Sequence, residues 1–176
     1  MADKHTLAFE IGVEEIPAFD LDSANKQLEK MVPAAFADAR IPYDSIEIHS
    51  SPRRLIVMAY GVADATEALV EEYKGPAAKI AFDADGNPTK AAIGFARGKG
   101  LSPESLERRE VNGTEYVFAT KNIPATPVAD LLPDVLSGFI PAIKWPRSCR
   151  WAAYREYFVR PVRWIVAMLD DVVLPV

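Results

Sequence analysis

The sequence predicts an α+β protein in which a mixed or antiparallel sheet of hairpins packs with several helices. Residues 5–11 alternate apolar and polar side chains, which indicates a half-buried strand. Asn112-Gly113 lies between two strand-like segments and favours a two-residue hairpin turn. Residues 21–39 instead place apolar side chains at three- and four-residue steps, which is typical of an amphipathic helix.

Further strands are predicted from apolar segments joined by short polar turns. The first strand is expected to end at Gly12. Two more hairpins are predicted, one pairing 46–48 with 55–60 across Ser50-Ser51-Pro52-Arg53, the other pairing 164–169 with 172–174 across Asp170-Asp171.

Prolines and polar capping residues mark the expected helix starts. Pro17 suits the first turn of the helix at 21–39, and Pro33 is expected to kink or split that helix. After the loop at 83–87, Asn87 is the expected cap and Pro88 the first residue of the next helix.

The chain has 176 residues, of which 49 % are hydrophobic and 26 % charged, and these values are typical of a globular protein with its own core. It is expected to form either a single unit or two lobes, at 1–80 and 81–176. Because 172–174 would leave an apolar strand at the edge of the sheet, we expect residues 1–176 to be part of a longer protein.

Cysteine and histidine content limits the chemistry of the chain. Cys149 is the single cysteine, so no internal disulfide forms and a reducing compartment is expected. With His5 and His49 it supplies too few ligands for a Cys/His zinc site, so no bound metal is expected. The sequence shows neither a signal peptide nor a membrane-spanning stretch, and we therefore expect a cytoplasmic protein without membrane contact.

Charge is distributed unevenly along the chain. Residues 1–143 hold 14 Lys and Arg against 22 Asp and Glu, whereas residues 144–176 hold 6 against 3. All six basic residues lie within 144–163, with aromatic residues between them. Because basic groups neutralise phosphates and rings stack on unpaired bases, this window is a candidate nucleic-acid surface. Alternatively, the rings belong to the core and the arginines make structural or subunit contacts.

Glu10, Glu14 and Glu15 form a carboxylate cluster near the end of the first strand. The cluster is either a general acid/base or arginine-binding site, or a structural group with one buried or paired glutamate and two solvated ones. Arg53 and Arg54, at the hairpin corner, serve either ion pairing or contact with a ligand or RNA phosphate. We expect one of them to pair with Glu14 or Glu15.

Sequence signatures of other catalytic sites are missing. The chain has no Gly-x-x-x-x-Gly-Lys-Ser/Thr loop and no Gly-x-Ser-x-Gly elbow. Cys149 has no adjacent histidine to activate it and is interpreted as structural. No catalytic residue is assigned, although a freestanding small enzyme working through Glu14, Glu15 and Arg53 is a further alternative.

Five segments form a pattern that extends over essentially the whole chain: Phe9–Pro17 (FEIGVEEIP), Ser51–Leu55 (SPRRL), Gly86–Arg97 (GNPTKAAIGFAR), Arg150-Trp151 (RW) and Phe158–Trp164 (FVRPVRW). This pattern resembles the beta subunit of the bacterial type of glycyl-tRNA synthetase. Val13 stands where the family usually has Thr, and Cys149 stands where it usually has Met.

The resemblance implies that residues 1–176 form the N-terminal α+β domain of a longer subunit. It implies a part in the ATP-dependent charging of tRNA with glycine by a two-alpha, two-beta assembly, in which the alpha subunit uses ATP with Mg²⁺ and this chain binds no cofactor. The implied partners are the alpha subunit, glycine tRNA and the remainder of the beta subunit. Class I and class II synthetase signatures are missing from the sequence, so glycyl-adenylate formation is not expected on this chain.

Two sets of residues are candidates for function. The tRNA-contact candidates are the arginines of the basic window and of the hairpin corner: Arg147, Arg150, Arg155, Arg160, Arg163, Arg53 and Arg54. The residues that match the family motifs and are expected to have structural roles are Glu10, Gly12, Glu14, Glu15, Pro17, Gly86, Pro88, Phe95 and Arg97. The alternative is a scaffold domain that joins subunits without touching RNA.

Overall fold

The computed structural model describes residues 4–83, 85–151, 153 and 157–176. The chain divides into two compact units. The main unit comprises Met1–Glu67 and Ala125–Val176, and the inserted unit comprises Ala68–Pro124. These boundaries differ from the expected lobes at 1–80 and 81–176, because the strand that begins at Leu69 pairs within the inserted unit and the last strands return to the first one.

The structure contains eight strands, four α-helices and one 3₁₀ turn among the described residues. In order they are β1 (Lys4–Val13), α1 (Ala18–Asp38), β2 (Ser45–Ser51), β3 (Arg54–Ala63), β4 (Leu69–Ala77), α2 (Ala78–Ala81), α3 (Lys90–Gly98), a 3₁₀ turn (Pro103–Ser105), β5 (Leu106–Val111), β6 (Thr114–Ile123), α4 (Val128–Ala142), β7 (Val162–Leu169) and β8 (Val172–Val173). The α+β prediction is confirmed, and all the strand pairs formed by the described residues are antiparallel.

The main unit contains a five-stranded sheet with the order β2-β3-β1-β7-β8. Alternate residues of β1, from Leu7 to Val13, are buried on one face together with apolar residues of α1 and α4. The rings of Phe9 and Phe139 lie 6.4 Å apart within this core. Glu10 and Gly12 therefore lie on the opposite face, since side chains of a strand alternate between faces.

Prolines do not divide the helices of the main unit. The helix α1 continues from Ala18 to Asp38 through Pro33, so of the two expected effects of this proline, a kink or a split, the split is wrong. Val32 and Phe36 on either side of Pro33 are fully buried, and this packing outweighs the single backbone hydrogen bond that a proline removes.

The inserted unit contains a three-stranded sheet with the order β4-β6-β5. Its small core includes Ala81, Ala92 and Val117. The predicted hairpin at Asn112-Gly113 is confirmed, with both residues at positive φ. The expected Asn87 cap is wrong, because the Thr89 side chain accepts the N–H of Ala91 and α3 begins at Lys90.

The first strand also extends beyond its expected end. Gly12 lies inside β1, opposite Arg54 of β3 and Trp164 of β7. Within the described part of the chain, no helix has the length and apolar character needed to cross a membrane.

Candidate nucleic-acid interface

Backbone hydrogen bonds bring three of the sequence motifs together at one end of the main sheet. The Val13 N–H donates to the Arg53 carbonyl at 2.9 Å, and the Ile16 N–H donates to the Pro52 carbonyl at 2.6 Å. On the other side, the Glu14 N–H donates to the Pro161 carbonyl at 3.2 Å. Segments far apart in the sequence are thus held on either side of the turn that follows β1.

Four exposed arginines, which we call the arginine cluster, belong to these segments: Arg53, Arg54, Arg160 and Arg163. Two of them make ion pairs, since Arg54 Nε lies 3.7 Å from Glu10 Oε1 and Arg163 Nε lies 3.4 Å from Glu14 Oε1. The other two donate to backbone carbonyls. Arg53 Nε is 3.5 Å from the Val13 oxygen, and Arg160 Nε is 3.2 Å from the Glu15 oxygen.

The expected pairing of Arg53 or Arg54 with Glu14 or Glu15 is wrong. Arg54 pairs with Glu10 instead, because antiparallel pairing of β1 with β3 places both side chains on the sheet face away from the core. Glu14 lies beyond the end of β1, beside the segment that leads into β7, and pairs with Arg163.

Trp164 is the aromatic residue of this region, and β1 holds its indole from two directions. Its Nε1–H donates to Glu10 Oε1 at 2.6 Å. The indole ring lies over Gly12, where a Cβ atom would overlap its carbon and nitrogen atoms. The ring is therefore fixed above a glycine and oriented by a carboxylate.

A cleft of about 500 Å³ lies beside this ring. It is lined by Glu15, Ser51, Pro52, Arg53, Arg54 and Trp164. Guanidinium groups, a hydroxyl group and an aromatic ring can bind phosphate, hydrogen-bond a sugar and stack on a base.

The rest of the basic window is divided between core and surface. Trp145 packs edge-to-face on the fully buried Phe158, at 4.9 Å between ring centroids, so these two rings belong to the core. Arg147 is exposed, and Arg150 lies 5.7 Å from the centroid of the exposed Tyr157 ring. Arg155 lies outside the described residues.

The remaining motif residues are distributed over both units. Pro17 directly precedes α1. In the inserted unit, Gly86 adopts a positive φ in the loop before α3, and Pro88 bridges to Phe82. The Phe95 ring packs against Gly75, and Arg97 lies in the last turn of α3, where a cation favours the carbonyl end of a helix.

In the carboxylate cluster predicted from the sequence, Glu10 and Glu14 bind basic and indole side chains. Glu10 accepts a hydrogen bond from Trp164 and forms an ion pair with Arg54, and Glu14 forms an ion pair with Arg163. Among the described residues, no group of three or more His, Cys, Asp or Glu side chains is arranged to hold a metal ion.

Sequence reasoning missed the packing of Trp164 on Gly12 and its bond to Glu10. A signal was present, because a glycine inside a strand often marks the close approach of another group. The group that approaches comes from a strand 152 positions later, whose pairing with β1 no local pattern specifies.

Comparisons with known proteins show which family has similar sequences. The family described as "Glycyl-tRNA synthetase beta subunit" matches residues 7–176. Similar curated proteins are the glycine–tRNA ligase beta subunits of Limosilactobacillus fermentum (43 % identical over 171 residues), Levilactobacillus brevis (44 % over 171 residues) and Streptococcus suis (45 % over 168 residues). The matches cover 97, 97 and 94 % of this chain, and 25, 25 and 24 % of the relatives.

This chain, an antiparallel α+β protein with an arginine cluster at one end of its main sheet, is thus similar in sequence to components of an aminoacyl-tRNA synthetase. The chain belongs to the glycyl-tRNA synthetase beta subunit family. It spans about a quarter of the length of the curated relatives that it matches.

Proposed function

We propose that this chain takes part in the ATP-dependent charging of tRNA with glycine, as part of a beta subunit that assembles with an alpha subunit into a two-alpha, two-beta ligase in the cytoplasm. The names of its relatives support this assignment. In the proposed assembly the alpha subunit uses ATP and Mg²⁺, while this chain supplies no catalytic group and contributes a surface for glycine tRNA.

One observation carries the proposed role in RNA binding. Two segments far apart in the sequence carry the four arginines of the arginine cluster, all exposed, and both segments are hydrogen-bonded to the turn after β1 at one end of the main sheet. In the part of the chain that the structure describes, no hydrogen bond engages the Nη groups of Arg53, Arg54 or Arg163. These forked donors match the geometry of a phosphate group.

Glu10 and Glu14 orient two arginines of the arginine cluster and still leave them able to bind a phosphate. An exposed ion pair contributes little to stability, so a phosphate can share or replace the carboxylate at small cost. Arg54 and Arg163 are each more than half exposed. We therefore propose that the arginine cluster contacts tRNA phosphates.

The test measures binding of glycine tRNA and of an unrelated tRNA to this chain at several salt concentrations. Binding through phosphates weakens linearly in a plot of log affinity against log salt. The double variant R53A/R54A is expected to lower the slope by about two, or one for each lost contact. Arg97→Ala, a change of an exposed arginine in the inserted unit, is the matched control and should leave the slope unchanged.

Absence of tRNA binding at low salt would contradict this role. An equal slope for R53A/R54A and the wild-type chain would remove those two arginines from the tRNA surface while leaving the other cluster residues to be examined in the same way.

A scaffold role is the second candidate, and exposed apolar residues favour it. Val166, Val172 and Val173 of β7 and β8 are 39, 57 and 73 % exposed. Exposed apolar surface is typical of protein contacts. Mixing the chain with purified alpha subunit tests this role: a stable complex that forms equally well with and without tRNA, in a chain that binds no tRNA, would support the scaffold.

A further inference from the structure

Trp164 lies in β7, and one face of its indole packs against the protein. That face lies on Gly12, where the missing side chain makes room for the ring. The Nε1–H is fixed by Glu10 at 2.6 Å. Because the ring is already ordered, the Trp164 side chain loses little conformational entropy when a ligand stacks on it.

Trp164 also borders an apolar cleft with Ile140 and Val162, and a second cleft that carries two arginines and Glu15. Trp164 lines the cleft of about 500 Å³ together with Arg53, Arg54 and Ser51. Cavities of roughly 300–1,000 Å³ hold small organic ligands, and a nucleotide falls within this class. An aromatic face with two guanidinium groups beside it combines the two interactions by which proteins hold unpaired nucleotides, stacking and phosphate neutralisation.

We propose that this cleft binds one unpaired nucleotide of an RNA strand, with the base stacked on Trp164 and the adjoining phosphate held by Arg53 and Arg54. This inference rests on the proposed function and deepens it, because it specifies a single-stranded part of the RNA as the contact. A base inside a duplex has both faces covered by neighbouring bases, so only an unpaired base can present a face to the indole.

The first experiment titrates the 176-residue chain with a single-stranded hexanucleotide of adenosine and follows tryptophan fluorescence. Stacking is expected to quench the emission of Trp164. The variant Trp164→Phe should lose this quenching, although Trp145 and Trp151 still emit. The control Trp145→Phe should keep it, because Trp145 packs against Phe158 in the core.

The second experiment measures affinity by the fluorescence anisotropy of the labelled hexanucleotide. Loss of stacking on one base is expected to weaken binding about 5- to 150-fold in Trp164→Leu. Trp164→Phe, which keeps a smaller ring, should fall between Trp164→Leu and the wild type. Urea unfolding of each variant shows whether the fold persists, and Trp164→Phe provides the test if Trp164→Leu does not fold.

Two further probes distinguish an RNA strand from other sources of the same chemistry. A duplex of equal length should bind without quenching, since its bases are stacked internally. Adenosine monophosphate should bind more weakly than the hexanucleotide. Equal affinity for the monophosphate would identify a free-nucleotide site and would overturn the proposed contact with a strand.

The inference and the proposed function fail in different ways. Quenching that persists in Trp164→Phe, or a hexanucleotide that binds Trp164→Leu as tightly as the wild type, would overturn the stacking site. If R53A/R54A still lowers the salt slope for tRNA, the proposed function stands without it. A wild-type chain that binds neither tRNA nor the hexanucleotide would overturn both.

Discussion

The two ends of the main sheet are held by different kinds of polar contact. At one end, His5 lies between two carboxylates, with Nδ1 2.6 Å from Asp170 and Nε2 2.6 Å from Asp64. Both ring nitrogens are used, and Asp170 also accepts the Thr6 N–H at 2.7 Å. At the other end, the arginine cluster contacts the protein mainly through Nε atoms.

This difference distinguishes a structural contact from a surface suited to a ligand. We call the structural contact, made by His5, Asp64 and Asp170, the His5 clasp. The His5 clasp connects the start of β1 to the residues that follow β3 and β7, and its hydrogen bonds are satisfied within the chain. The arginine cluster retains donors for a further partner. A polar group with unused donors is therefore a better candidate for binding than one with many internal contacts.

Gly12→Ala should have the largest effect on stability at the end of the main sheet that carries the arginine cluster. The added Cβ overlaps the Trp164 ring, so the ring must move and its bond to Glu10 is disturbed. Forced overpacking of this kind costs about 1–3 kcal/mol, measured as the change in the free energy of unfolding in urea. The matched control is Gly138→Ala in α4, where a Cβ meets nothing within 4 Å. That change should be neutral or stabilising, and an equal loss in both variants would contradict the account of Gly12.

Glu10 should have the next largest effect, and two substitutions separate its roles. Glu10→Leu removes the acceptor of the Trp164 N–H and the partner of Arg54, with an expected cost of about 1–2 kcal/mol. Glu10→Gln keeps an acceptor oxygen and should cost less. Urea unfolding measures both. Equal losses for Leu and Gln would show that the charge, and not the hydrogen bond to the indole, is what matters at this position.

The His5 clasp gives a pH-dependent prediction at the opposite end of the sheet. Hydrogen bonds to Asp64 and Asp170 raise the pKa of His5 above its usual 6.5. Stability from the charged imidazole is therefore complete below about pH 6.5 and is lost as the pH rises through the raised pKa. The Thr6 N–H, and then His5, lower the pKa of Asp170 below its usual 3.8, so the carboxylate contribution is present above that value and is lost as the pH falls through the lowered pKa.

His5→Asn should consequently lower the thermal midpoint most between about pH 4 and 6.5, by a few degrees, and much less at pH 9. Thermal unfolding monitored by circular dichroism at pH 5.5 and 9 tests this. His49→Asn is the control, because His49 and its partner Glu47 are both more than half exposed. A loss for His5→Asn that is the same at both pH values would show that the charge of His5 does not stabilise this end of the sheet.

Local patterns in the sequence predicted the parts of the fold that depend on neighbours in the chain. The hairpin at Asn112-Gly113 depends on the conformations of two turn residues, and the amphipathic stripe of α1 depends on helical spacing. Local patterns could not predict the boundaries of the inserted unit or the partners of Glu10 and Glu14. These features depend on the pairing of β1 with β3 and β7. The sequence motifs were enough to identify the candidate arginines. Their partners could be assigned only from the register in which β1 pairs with β3 and β7.

The ion pair of Arg163 with Glu14 should have the smallest effect on stability, and it sharpens the comparison between the two ends. Both side chains are substantially exposed, at 57 and 43 %. A double-mutant cycle of Arg163→Ala and Glu14→Ala in urea should give a coupling energy below about 1 kcal/mol. The same Arg163→Ala variant should nevertheless lower the salt slope of tRNA binding by about one. A strong coupling energy together with an unchanged slope would assign Arg163 to a structural clasp like that of His5, and the arginine cluster would then have one fewer RNA contact.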